Sequence, residues 1–152
     1  MKISLIIASL ILFASPQSNQ YRLTVSVSGL KPLKGDLYIS LHNRPDYFQL
    51  ADSAFLKKKI GVNEETESIY FNNLPEGKYA ISIYHDENLN GFMDANGNGI
   101  PVEGYGFSTK SRFLGRPKFE QAAFEVLSND TIGIKMIYHP VQNQNNRDSV
   151  KK

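Results

Sequence analysis

The chain has 152 residues, 17 of them Lys or Arg and 15 Asp or Glu, and it contains no cysteine. That length suits one domain able to bury a core without metal or disulfide staples. The missing cysteine excludes a disulfide framework and a lipid-acceptor thiol, and the near-balanced charge leaves no electrostatic case for nucleic acid.

Residues 1–19 begin with Lys2, run apolar from Ile3 to Phe13 and end in small and polar residues. This is the order of zones in a secretory signal peptide, and the run falls short of the roughly 20 residues that span a bilayer. Cleavage is expected between Ala14 and Gln20, giving a periplasmic or extracellular (secreted) protein with no membrane span. Without Lys2 the balance is 16 basic to 15 acidic residues, so charge is local rather than global.

From residue 20 to 139 short segments alternate apolar and polar residues with period two, the mark of strands with one buried face. In "YRLTVSVSGL" Leu23, Val25 and Val27 share a side, and in "GDLYISLHN" Leu37, Ile39 and Leu41 do the same. The intervening Gly and Pro predict a hairpin between them. "RPDYFQLADSAF" reads as a loop or a short helical turn. "ESIYFNNL" carries Ile69 and Phe71 inward, "PEG" turns the chain, and "KYAISIYHD" places Tyr79, Ile81 and Ile83 on one face. "FEQAAFEVL" and "TIGIKMIYH" predict two further strands, with core faces Ala122, Phe124, Val126 and Ile132, Ile134, Met136. Residues 140–152 are polar and aperiodic, which predicts a disordered tail. Short strands, turn signals between them and no repeat predict an all-β fold, an antiparallel β-sandwich of about seven strands.

The phrase "NLPEGKYAISIYHDENLNG" resembles the entry into a strand in transthyretin-like and immunoglobulin-like sandwich modules. The longer run "HDENLNGFMDANGNGIPVEGYGFS", followed by "RPKFEQAAFEV", is similar to the bacterial domain-of-unknown-function 2141 family, from about Tyr21 to Tyr138. Thr109 departs from the Asn expected after "GYGFS". The resemblance implies an exported bacterial sandwich and brings no activity with it.

Chemistry concentrates in the same run. Calcium loops place oxygen ligands at positions one, three and five and glycine at six. Asp86, Asn88, Asn90 and Gly91 fit, Phe92 offers its carbonyl at seven, and Asp94 falls at nine. Position twelve is Gly97, so an EF-hand is not completed, and the preceding element is a strand. Asp94, Asn96, Asn98 and Gly99 repeat the spacing, with Glu103 in reach as the missing carboxylate. No Lys or Arg occurs from His85 to Thr109 to neutralise these acids, which points to calcium; an Asx-turn loop held by hydrogen bonds is the plainer reading.

His42, His85 and His139 each close a predicted strand; converging imidazoles would suit zinc or copper, although an edge histidine with a hydrogen bond is the commoner case. No Cys, no G-x-S-x-G and no hydroxyisourate-hydrolase C-terminal Tyr-Arg-Gly-Ser signature is present, so no catalytic residue is assigned. "STKSRFLGRPKF", with Lys110, Arg112, Arg116 and Lys118 among aromatics, suits an acidic glycan or a partner protein, or a solvated connection. "GYGF" brings Tyr105 and Phe107 toward the metal loop as a sugar-binding edge. The expected function is a non-catalytic, exported sandwich with a calcium-ordered loop binding a glycan or protein at the cell envelope. The alternatives are a transthyretin-like hydrolase or isomerase using a strand-end histidine, and a purely structural envelope protein.

Overall fold

The structure, a computed structural model, describes residues 19–48, 50–109 and 116–139. The expected signal segment up to residue 18 and the polar tail 140–152 lie outside the described residues. Strands β1 (Gln20–Ser28), β2 (Asp36–His42), β3 (Leu56–Gly61), β4 (Thr66–Pro75), β5 (Gly77–Asp86), β6 (Gly104–Phe107), β7 (Phe124–Val126) and β8 (Asp130–Lys135) form two sheets, and one helical turn, α1, spans Phe119–Ala122. One sheet has the order β4-β1-β8; the other runs β3-β2-β5-β6, with β7 also pairing β5.

The alternation seen in the sequence builds the core. Leu23, Val25, Val27, Ile69, Phe71 and Ile134 of the first sheet meet Leu37, Ile39, Leu41, Ile81 and Ile83 of the second in one buried cluster. Each such side chain contributes about 1.5 to 3 kcal/mol when fully buried. Phe124 sits at the edge of this cluster, partly buried.

Two expectations are corrected. Segments β1 and β2 do not form a hairpin: β1 pairs antiparallel with β4 and parallel with β8, whereas β2 pairs with β3 and β5. The 29–35 connection crosses between sheets instead, burying Leu30 on the way, with Gly29 and Gly35 at φ +73° and +77°. Each segment has one apolar face, which fits facing sheets as well as it fits neighbouring strands. Second, the beginning of "FEQAAFEVL" is helical: the Gln121 side chain accepts the Lys118 N–H at 2.7 Å, and Phe119 and Ala122 lie on one buried side. The described residues hold eight strands, in keeping with the about seven expected; "LKKKIG" forms edge strand β3 and "GYGF" forms β6. "RPDYFQLADSAF" contains two short 3-10 turns, Pro45–Tyr47 and Ala51–Ser53.

The face of the second sheet turned away from the core positions the site. It carries Tyr38, Ser40 and His42 from β2 and Ala80, Ser82, Tyr84 and Asp86 from β5, with Tyr105 and Phe107 of β6 opposite Tyr84 and Ser82. One end is covered by Ala80, Phe119 and Ala122 with Phe48 packed against them. Ser108 fastens that cover: its hydroxyl accepts the Ile81 N–H and donates to the Ala122 carbonyl, both at 2.7 Å.

Candidate functional site

Strand β5 ends at Asp86, fully buried, and the chain then enters the Asp/Asn/Gly loop. One Asp86 carboxylate oxygen accepts the Asn90 N–H at 3.0 Å and the other accepts Gly91 N–H at 2.8 Å. Asn88 Oδ1 also accepts the Asn90 N–H at 3.0 Å, and Asn90 Oδ1 accepts Phe92 N–H at 2.9 Å. Both amide nitrogens, Asn88 Nδ2 and Asn90 Nδ2, donate to Asp94 Oδ2 at 2.7 and 3.0 Å. Asp86, Asn88, Asn90 and Asp94 are thus one connected group. This network supports Leu89 at φ 63° and Gly91 at φ 85°; the left-handed region costs a residue such as leucine about 1 to 2 kcal/mol.

Glu103, also buried, latches the loop: its two oxygens accept Glu87 N–H at 2.9 Å and Asp94 N–H at 3.0 Å. The second half of the motif folds separately. Asn96 Oδ1 accepts Asn98 N–H at 3.0 Å and Ile100 N–H at 3.1 Å, and Ala95 bridges Pro101 across this small turn. Asn96 and Asn98 therefore stand apart from the Asp86–Asp94 group, and the Phe92 ring is exposed.

The donor set fits a hard cation in kind. It offers the Asp86 and Asp94 carboxylates, two amide oxygens and backbone carbonyls, and an oxygen engaged once in a turn keeps a further lone pair. Among the described residues no three His, Cys, Asp or Glu side chains form a group that could hold a metal, so the amide and carbonyl oxygens are necessary to any such site.

The loop also walls a cavity of about 810 Å³ over the outer sheet face. Phe92, Met93, Ile100 and Pro101 form its loop side, and Tyr38, Ser40, Ser82, Tyr84, Tyr105 and Phe107 its floor. Asp52, Lys57, Lys58, Arg116 and His139 also line it. Tyr38 and Tyr84 are stacked, with centroids 4.7 Å apart and planes inclined by 2°. Tyr84 donates its hydroxyl to the Gly91 carbonyl at 3.0 Å, tying floor to loop. Burial first, then the neighbouring Tyr38, Asp86 and Glu103, push its pKa up to about 12, so it remains a donor. The expected proximity of Tyr105 and Phe107 to the loop is found here, since both share the cavity with Gly91 and Phe92. Sequence reading did not assign Tyr38, Ser40, Ser82 and Tyr84; the usable signal was an outer face of hydroxyl-bearing and aromatic residues where a solvated strand carries charges.

The three histidines do not converge. His42 and His85 lie at opposite ends of the β2–β5 ladder. His42 Nε2 is 3.2 Å from Ser82 Oγ, while its buried Nδ1 has no hydrogen-bond partner among the described residues and burial lowers its pKa, offset in part by the Tyr47 backbone. His85 belongs to the inner face, bonded to Tyr138 and the Lys34 carbonyl. His139 Nε2 is 2.9 Å from the Tyr105 hydroxyl. Of the basic stretch, Arg116 and Lys118 are described; Lys110 and Arg112 lie outside the described residues.

No helix among the described residues is long and apolar enough to cross a membrane. Residues 25–134 match the family model described as "Uncharacterized protein conserved in bacteria (DUF2141)". No curated protein and no solved structure matches the chain.

Proposed function

The chain belongs to the bacterial DUF2141 family, whose description carries no activity, and from its geometry we propose an exported, non-catalytic binding sandwich. Its Asp/Asn/Gly loop is ordered by calcium and shapes one wall of a site for a glycan or protein at the cell envelope. The observation that carries this reading is the connection of Asp86, Asn88, Asn90 and Asp94 in the loop whose Phe92 and Ile100 border the cavity. Asp86, Asn88, Asn90 and Asp94 supply side-chain oxygens and Phe92 a carbonyl; bound calcium would offset the repulsion among Asp86, Asp94 and the nearby Glu103. Export rests on the order of charged, apolar and polar residues in 1–19.

Calcium at about 100 times its dissociation constant adds about 2.7 kcal/mol to the folded state. Melting and isothermal titration with calcium and with chelator should therefore show a raised midpoint and heat of binding. Asp94→Ala should remove most of that increment, and Asn98→Ala far less. Identical curves in both conditions would leave a stiffened, hydrogen-bonded connection, the structural alternative.

One observation favours an enzyme: Ser82 Oγ, in the cavity floor, is 3.2 Å from His42 Nε2. A general base in this role is usually oriented by a third group. His42 Nδ1 bonds none among the described residues, and its lowered pKa weakens it as a base. Labelling of Ser82 by a serine-directed fluorophosphonate, lost in His42→Gln, would restore the hydrolase reading.

A further inference from the structure

We propose that the cavity on the outer face of the five-stranded sheet binds a carboxylate-bearing sugar, the uronic-acid unit of an acidic glycan. The proposal deepens the binding reading above and rests on it.

Size comes first. Ligand clefts of about 300 to 1,000 Å³ enclose drug-sized molecules, so about 810 Å³ admits a short oligosaccharide. The lining then narrows the chemistry. Tyr38 and Tyr84 stack on each other, with Lys59 over the Tyr38 ring, so this pair turns ring edges and hydroxyls to the cavity, while the exposed Phe92 ring offers an open apolar face from the loop. Pyranose rings present C–H faces that pack on such surfaces. Hydroxyls of Tyr38, Ser40, Ser82, Tyr84 and Tyr105 stand among those rings, so apolar contact and hydrogen bonding are interleaved, as sugar faces and rims require.

The Tyr84, Tyr105 and Ser82 hydroxyls already meet Gly91, His139 and His42 but keep further lone pairs, which sugar hydroxyls can donate to and the chain of an alkyl carboxylate cannot. Charge gives the remaining distinction. The lining cations are Lys57, Lys58 and Arg116, against the single carboxylate of Asp52. Asp52 is already paired with Lys57 at 3.2 Å. Lys58 lies over the Phe71 ring on the opposite face. Arg116 has no ion pair among the described residues, and its planar fork matches a carboxylate. A neutral sugar would leave that fork unused.

The test is isothermal titration of the full chain with trigalacturonate, with its neutral trigalactose counterpart and with hexadecanoate, each with calcium and with chelator. Trigalacturonate should bind at least tenfold more tightly than either competitor. Arg116→Gln, an exposed change that leaves the core untouched, should weaken it tenfold or more while binding of the neutral sugar stays the same. Tyr38→Ala should weaken both sugars, with an unchanged circular-dichroism spectrum showing that the sheet persists. No heat with trigalacturonate, equal binding of trigalactose, preference for hexadecanoate, or an unaffected Arg116→Gln variant would each overturn the proposal. A calcium-dependent midpoint that persists without uronate binding would mean that the ligand assignment fails while the calcium reading stands. Uronate binding without any calcium shift would mean the reverse.

Discussion

The Tyr138 hydroxyl lies 2.8 Å from Nδ1 of His85, a side chain with no solvent exposure. His85 Nε2 is 2.6 Å from the Lys34 carbonyl, which can only accept, so Nε2 donates; in the tautomer with its one proton there, Nδ1 accepts from the Tyr138 hydroxyl. The same hydroxyl accepts the Lys31 N–H at 3.2 Å. The 29–35 connection is thereby tied to β5 and to the segment after β8. Tyr138→Phe leaves a buried imidazole nitrogen unpaired, and the expected loss is about 1 to 3 kcal/mol in a denaturant titration. A midpoint equal to the parent would mean that water or another group replaces the hydroxyl.

Gly104 has a second kind of relation to that tyrosine. A Cβ at this position would fall 2.2 Å from Tyr138 Cε1, inside any tolerated contact. Gly104→Ala must displace the ring or bend β6, and overpacking of this sort typically costs about 1 to 3 kcal/mol. Gly97→Ala, where the added carbon meets nothing within 4 Å, is the matched control and should melt close to the parent.

Glu103 holds the loop from outside the Asp86–Asp94 group. Glu103→Ala releases the N–H groups of Glu87 and Asp94 together. Hydrogen exchange at these two amides should rise by tenfold or more while amides of β1 and β5 stay protected. Equal protection in parent and variant would refute the latch.

The pH dependence follows from His42. Burial lowers its folded pKa below the 6.5 of the unfolded chain, so the unfolded state binds the proton first. This contribution is present above about pH 6.5 and is lost as pH falls through the folded value. The midpoint should therefore drop below pH 6.5, before the carboxylate range is reached, and His42→Gln should flatten that limb. A parallel decline in both proteins would assign the effect elsewhere.

How much was legible in the sequence depends on which features are local. Leu23, Val25, Leu37, Ile39, Leu41, Ile81, Ile83 and Ile134 are readable because period-two alternation maps directly onto a pleated strand. Pairing is not local, so β1 and β2 read as a hairpin although they lie in facing sheets. "LKKKIG" shows no alternation because β3 is an edge with exposed lysines, a device that discourages further strand addition. At the site, Asp86, Asn88, Asn90 and Asp94 were legible from spacing. Glu103 was placed as a ligand from its reach alone; that its two oxygens also hold the Glu87 and Asp94 N–H groups emerges only in the fold. The tyrosine floor assembles from three strands by register, which no single segment announces.

The parallel ladder between β1 and β8 couples Leu23 to Asp130 and Val27 to Ile134, from opposite ends of the described chain. Strand β1 is central in its sheet, so until β8 arrives one of its edges has no partner. Pairings of such long sequence separation are slow to form, because the intervening loop must close before any contact compensates for the lost chain entropy. Completion of the sandwich therefore waits on β8, the last strand of the described residues to be synthesised. A chain still attached to the ribosome carries an open and aggregation-prone edge at β1, which makes the interval before β8 the period in which a chaperone is most useful.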